Sequence, residues 1–107
     1  MRATTLLFLG AFAAMGVAAY AAGEQVITQK GRAFSAPSVT TRKGGAVIFF
    51  NDDTVPHNIM STSKGNEFNL GSQAPGSSTP VTFNEIGEAA VICAIHPRMK
   101  MTVTITE

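Results

Sequence analysis

The chain has 107 residues, a formal net charge of +1 and 7% aromatic residues. This length suits one domain, because domains usually need on the order of 100 to 150 residues. From Gly23 onward, seven Lys and Arg residues balance seven Asp and Glu residues, and there is no basic cluster. The composition therefore gives no support to a nucleic-acid-binding module or to electrostatic attachment to anionic lipid.

Residues 1–22 have the layout of a secretory signal peptide. Arg2 precedes an uncharged apolar stretch that ends in the small-residue sequence Ala19-Tyr20-Ala21, which is typical of a cleavage site. We therefore predict export to the periplasm and a mature domain spanning residues 23–107, without stable membrane association after cleavage. An uncleaved anchor is the alternative, because the uncharged residues 6–22 just reach the roughly 17-residue lower limit for spanning a bilayer.

The mature chain predicts short β-strands separated by turn residues. Extended segments are expected at residues 25–29, 37–41, 46–50, 59–62, 67–70, 79–83, 89–93 and 101–106. In the last segment Met101, Val103 and Ile105 alternate with threonines, so that one face is apolar. Seven or eight such strands without helical periodicity indicate an antiparallel β-sandwich or barrel.

The side chains that could bind a metal through nitrogen or sulfur are few after the signal. Cys93 is the single cysteine of the sequence and has no partner for a disulfide, although an exported protein meets oxidising conditions. It begins a Cys-x2-His-x2-Met motif between two predicted strands, and the other histidine follows the end of an earlier strand. The candidates are His57, Met60, Cys93, His96, Met99 and Met101.

Two loops at one end of a sandwich can bring His57 together with Cys93, His96 and Met99, the ligand set of a blue-copper site. Thiolate and thioether suit Cu(I), and imidazole suits both oxidation states. Pro97 would stiffen the backbone directly after His96. Met60 and Met101 fit strand positions and are assigned to packing.

Two other readings use the same residues. Cys93 could be a nucleophile with a histidine as base, although about 85 residues leave little room for an oxyanion site and a substrate cleft. Structural zinc would use Cys93 and the two histidines but would leave the thioether without a role.

The chain resembles the cupredoxins, most closely the amicyanin, pseudoazurin and plastocyanin group, over most of residues 25–107. The segments that carry the resemblance are "FFNDDTVPHNI", "FNLGSQAPGSSTPVTFNEIGE" and "CAIHPRMKMTVTI". The resemblance implies a small Greek-key β-sandwich with one type 1 copper ion, in which His57, Cys93 and His96 are equatorial ligands and Met99 is axial. It also implies that Asn58 ties the ligand loops together and hydrogen-bonds toward the thiolate.

Two positions depart from the family pattern. Met101 stands where the family often has Gly soon after the axial Met, so Met101 remains an alternative sulfur ligand. Val91 stands where an aromatic residue often precedes the Cys, a position that concerns packing.

The expected function is single-electron transfer by a soluble, monomeric, non-enzymatic carrier. The partners implied are a redox donor and acceptor of the dehydrogenase or cytochrome c type, which would meet His96 through an apolar patch of Ala94, Ile95 and Pro97. Arg98 and Lys100 flank this patch and are either solvated charges or a means of steering an acidic partner. A copper storage, delivery or sensing protein with the same ligands is the alternative function.

Overall fold

The computed structural model describes residues 24–107, and within that range the regular structure is entirely β-strand. The nine strands are β1 (Gln25–Lys30), β2 (Ala33–Phe34), β3 (Ser38–Arg42), β4 (Ala46–Asn51), β5 (Ile59–Ser61), β6 (Phe68–Asn69), β7 (Ser78–Thr82), β8 (Gly87–Cys93) and β9 (Lys100–Thr106). Eight of them coincide with the predicted segments to within about two residues. The additional strand is β2, whose two residues are too few for a periodic pattern.

The strands form two sheets, with the orders β2-β1-β4-β7 and β3-β9-β8-β5-β6. The prediction of a small all-β sandwich is confirmed, but the expectation of purely antiparallel sheets is wrong. Strand β1 pairs parallel to β4, and β3 pairs parallel to β9, whereas the other pairs are antiparallel. Side-chain alternation shows which face of a strand is buried and does not show the direction of its neighbour, so this part of the topology was hidden in the sequence.

The core lies between the sheets and contains the inward-facing residues of both. In β9, Met101, Val103 and Ile105 are buried, as their alternation predicted. Phenylalanine rings connect the layers: the centroids of Phe49 and Phe68 are 6.2 Å apart, and those of Phe68 and Phe83 are 5.9 Å apart at a perpendicular angle. Such aromatic contacts add roughly 0.5 to 1.5 kcal/mol per pair beyond the burial of apolar area.

The register between β5 and β8 sets the position of the candidate site. Ile59 pairs with Cys93, and the N–H of Ala94 donates to the carbonyl of Asn58 at 2.8 Å. The loop that follows β4 and contains His57 therefore meets the loop between β8 and β9 at one end of the sandwich. Residues far apart in sequence are brought together there by backbone hydrogen bonds.

The predicted signal peptide and the alternative membrane anchor lie outside the described residues. Among residues 24–107, no helix is long and apolar enough to cross a membrane.

Candidate metal centre

His57 is held rigidly at the end of the loop between β4 and β5. Its backbone forms an isolated bridge with Gln73: the N–H of His57 donates to the Gln73 carbonyl at 3.1 Å, and the N–H of Gln73 donates to the His57 carbonyl at 2.6 Å. The buried Gln73 side chain donates in turn to the Phe49 carbonyl at 2.8 Å. The imidazole is fully buried, so both the backbone and the ring have little freedom.

The loop between β8 and β9 closes on itself through two backbone hydrogen bonds. The N–H of Cys93 donates to the Met99 carbonyl at 3.1 Å, and the N–H of Met99 donates to the His96 carbonyl at 2.9 Å. These bonds leave Cys93 and Met99 buried and His96 half-buried. Pro97 follows His96 on the exposed turn of this loop.

Three donor atoms from the two loops converge. The Nδ1 atoms of His57 and His96 are 3.1 Å apart, and the Sγ atom of Cys93 is 3.7 Å from each of them. Metal ions bind imidazole nitrogen at about 2.0 to 2.1 Å and thiolate at about 2.3 Å, so one ion can reach all three atoms. The arrangement is compatible with a single type 1 copper site.

Asn58 contacts the sulfur through its backbone. Its N–H donates to Cys93 Sγ at 3.3 Å, while its side-chain amide donates to the Asn69 carboxamide oxygen at 2.8 Å. The Asn58 carbonyl accepts from Ala94, as described above. The link between the two ligand loops therefore runs through the main chain, and the side chain joins the site to β6.

Met99 and Met101 lie at different distances from the donor atoms along the strand direction. Met99 is buried in the ligand loop, where its carbonyl pairs with Cys93. Met101 pairs with Val91, two residues before Cys93 on the same strand face. Since a strand advances about 3.3 Å per residue, Met101 enters the core roughly 6 to 7 Å further from the donor atoms. The backbone of Met99 therefore lies beside Cys93, whereas Met101 lies in the core.

Asp53 is a site residue that sequence reasoning missed. Its Oδ2 accepts from His57 Nε2 at 2.9 Å and from the N–H of Arg32 at 2.8 Å, and its Oδ1 accepts from the N–H of Gly31 at 3.0 Å. The hydrogen bond from the Arg32 backbone, followed by that from His57, lowers the pKa of Asp53 from 3.8 to about 2. A carboxylate on the outer nitrogen of a metal-binding imidazole fixes its tautomer and orientation. The four-residue spacing from Asp53 to His57 was the available signal, but it is common by chance.

Arg32 also reaches the other histidine. Its Nε lies 3.4 Å from His96 Nε2, and its φ of 56° is unusual for a residue other than glycine. The side chains of Arg32, Ile95, His96, Pro97 and Arg98 line a shallow groove of about 370 Å³, here called the arginine groove. Ile95 is 51% exposed, so the half-buried imidazole adjoins an apolar surface framed by guanidinium groups.

The fold and the site define a cupredoxin, a small β-sandwich with a copper site at one end. A family model described as "Copper binding proteins, plastocyanin/azurin family" matches residues 21–106. The chain belongs to this family. No curated protein sequence shows a significant match to the chain.

Solved structures share this fold. A purple cupredoxin from Nitrosopumilus maritimus is 26% identical, with a TM-score of 0.68 over 77% of this chain and 99% of that chain. Amicyanin from Paracoccus versutus is 27% identical, with a TM-score of 0.69 over 82% of this chain and 86% of that chain. A Cu-containing nitrite reductase from Thermus scotoductus is 23% identical, with a TM-score of 0.71 over 78% of this chain but only 22% of its own, and this likeness concerns the fold alone.

Proposed function

We propose that the protein is an exported blue-copper electron carrier, in which His57, Cys93, His96 and Met99 would hold the copper ion. The observation that carries this proposal is the triangle of two imidazole nitrogens and one thiol sulfur, all within 4.8 Å of one another, in which His57 and Cys93 are buried and His96 is half-buried. Met99 is buried in the same loop and would supply the weakly binding thioether of this type of centre.

Copper bound by this donor set would supply a one-electron Cu(I)/Cu(II) couple. The chain contributes rigidity, because the backbone bonds of His57 to Gln73 and of Cys93 to Met99 limit movement of the ligands. It also contributes electrostatic tuning: the Asn58 N–H stabilises negative charge on the sulfur, and the Asp53 carboxylate supports positive charge around His57. Ligands that move little between oxidation states keep the barrier to electron transfer low.

Electrons would enter and leave through His96, since it is the half-buried member of the donor triangle. Ala94, Ile95 and Pro97 are exposed around it and form an apolar patch suited to the small interfaces, below about 1,200 Å², of transient redox complexes. We expect a monomeric periplasmic protein that meets a dehydrogenase or cytochrome c type donor and acceptor. Enzymatic use of Cys93 is disfavoured, because its side chain has no solvent-exposed surface for a substrate to reach.

The test is the absorption and EPR spectrum of the copper-loaded protein and of Cys93→Ser. We expect an intense visible thiolate-to-copper band that disappears in the variant, together with fast, reversible electron exchange. Far-UV circular dichroism of the metal-free variant provides the control, because oxygen for sulfur is a small change that should leave the β-sandwich intact. A variant that stays blue would refute the ligand assignment, and loss of metal on reduction would favour copper storage or delivery over electron transfer.

A further inference from the structure

The arginine groove carries cationic groups that the chain itself leaves unpaired. Within residues 24–107, neither Arg32 nor Arg98 forms an ion pair with a carboxylate. Asp53, the acidic residue beside Arg32, already accepts three hydrogen bonds, two of them from backbone N–H groups. Both guanidinium groups therefore retain most of their capacity to bind an external carboxylate.

The position of Arg32 is imposed by the fold. Asp53 holds the turn between β1 and β2 through the N–H groups of Gly31 and Arg32. This turn places Arg32 in the left-handed backbone region, which residues with a side chain seldom adopt. The backbone of Arg32 is thereby held beside the ligand loop, and its Nε lies 3.4 Å from Nε2 of His96, 64 residues away in sequence.

Charge is distributed unequally along the sandwich. Arg32, Arg98 and Lys100 lie at the end where β8 stops and β9 begins, whereas Glu88 lies in the register opposite Thr104, toward the other end. Glu85 and Glu107 flank the same strands at that other end. Asp52 and Asp53 also lie at the groove end, and Arg42 and Lys43 lie at the other end, so the positive area is confined to the groove, on a domain whose charges balance overall.

We propose that the arginine groove is the docking site for a redox protein that presents carboxylates on both sides of an apolar contact. The inference rests on the proposed function, because it assumes that His96 is the electron port. Arg32 and Arg98 would each bind a carboxylate of the partner, a pairing in which the planar guanidinium fits two oxygens. Ile95 and Pro97 would fill the apolar area between them. The partner's carboxylates thereby bring its redox group against the edge of the His96 ring.

The experiment compares the copper-loaded protein with the double variant Arg32→Gln/Arg98→Gln. Arg42→Gln/Lys43→Gln is the matched control, because it removes the same charge at the end of β3, where Arg42 pairs with Thr106 at the end of the sandwich away from the groove. Stopped-flow rates are measured with hexacyanoferrate(III), with tris(phenanthroline)cobalt(III), and with an acidic and a basic c-type cytochrome. Ionic strength is varied from about 0.01 M to about 1 M, which shortens the Debye length from about 30 Å to about 3 Å.

At low ionic strength, we expect the groove variant to react about ten-fold more slowly with hexacyanoferrate(III) and with the acidic cytochrome, the lower end of the usual range for electrostatic steering. Rates with the cobalt complex and the basic cytochrome should not fall, and the control variant should match the native protein within about two-fold. Equal losses in both double variants would overturn the proposal, as would an effect on hexacyanoferrate(III) alone, which would indicate a small-anion site.

The same measurements distinguish failure of the docking site from failure of the proposed electron-carrier function. A protein without the blue band, or one that exchanges electrons with none of the four reagents, would refute the proposed carrier itself. Fast exchange with all four reagents at rates independent of charge would refute only the docking site.

Discussion

Replacing Asp53 by Asn preserves the shape of the side chain and removes its charge. In the native protein, the two carboxylate oxygens accept from three N–H groups, those of Gly31, Arg32 and the His57 ring. An amide has one accepting oxygen and one donating nitrogen, so in either orientation at least one of these N–H groups faces another donor. The variant should therefore loosen the turn between β1 and β2 together with the His57 ring.

The expected loss of stability in Asp53→Asn follows from the pKa of Asp53, which is lowered from 3.8 to about 2 in the folded protein. By linkage, such a shift corresponds to at most about 2.5 kcal/mol of stability. The Asp53 side chain is 12% exposed and partly screened by solvent, so we expect a loss of about 1 to 2 kcal/mol in the free energy of unfolding at pH 7. At about 4 to 8 °C per kcal/mol for a domain of this size, the melting temperature should fall by roughly 5 to 15 °C.

The pH dependence gives the sharper test. Because the pKa of Asp53 is lower in the folded than in the unfolded protein, its stabilisation is present above about pH 4 and is lost as the pH falls toward 2. Urea denaturation of the metal-free proteins should show a difference between native and variant that is largest at pH 7 and shrinks below pH 4. A difference independent of pH would refute the argument.

Asp52→Asn is the matched control for this experiment. Asp52 is adjacent in sequence, but its ion pair with Lys30 spans 3.4 Å between side chains that are 47% and 74% exposed. Exposed pairs of this kind contribute about 0 to 1 kcal/mol, so we expect a loss below about 0.5 kcal/mol. If Asp52→Asn cost as much as Asp53→Asn, general surface charge would account for the effect.

Two further predictions concern residues around the sulfur. Met99→Leu should change the visible spectrum and the reduction potential of the copper-loaded protein. Met101→Leu should leave the spectrum and the potential unchanged and should lower the free energy of unfolding by less than about 1.5 kcal/mol. If spectroscopy and voltammetry gave the reverse pattern, Met101 would be the axial ligand. Asn58→Ala should leave the thiolate band in place, because the N–H that reaches Cys93 Sγ belongs to the backbone, and should cost about 1 kcal/mol through the lost bond to Asn69. A displaced band would show that the side chain acts on the sulfur.

Local features of the fold could be predicted because each depends on neighbours in sequence. The alternation of Met101, Val103 and Ile105 with threonines identified the inner face of β9, and those three side chains are buried. The two-residue strand β2 escaped prediction, since its structure depends on pairing with β1. The parallel pairing of β1 with β4 and of β3 with β9 was not predicted either, because the direction of a neighbouring strand does not alter the alternation of side chains along a strand.

The sequence by itself determined the donor types and the spacing of Cys93, His96 and Met99, because a six-residue separation confines them to one loop whatever the rest of the chain does. Only the tertiary structure decided that His57 faces this loop, that Asp53 supports His57, and that Arg32 frames His96. These contacts join the turn after β1, the loop after β4 and the loop after β8. They depend on sheet register and loop conformation, which arise from packing across the whole sandwich and cannot be obtained from any one segment.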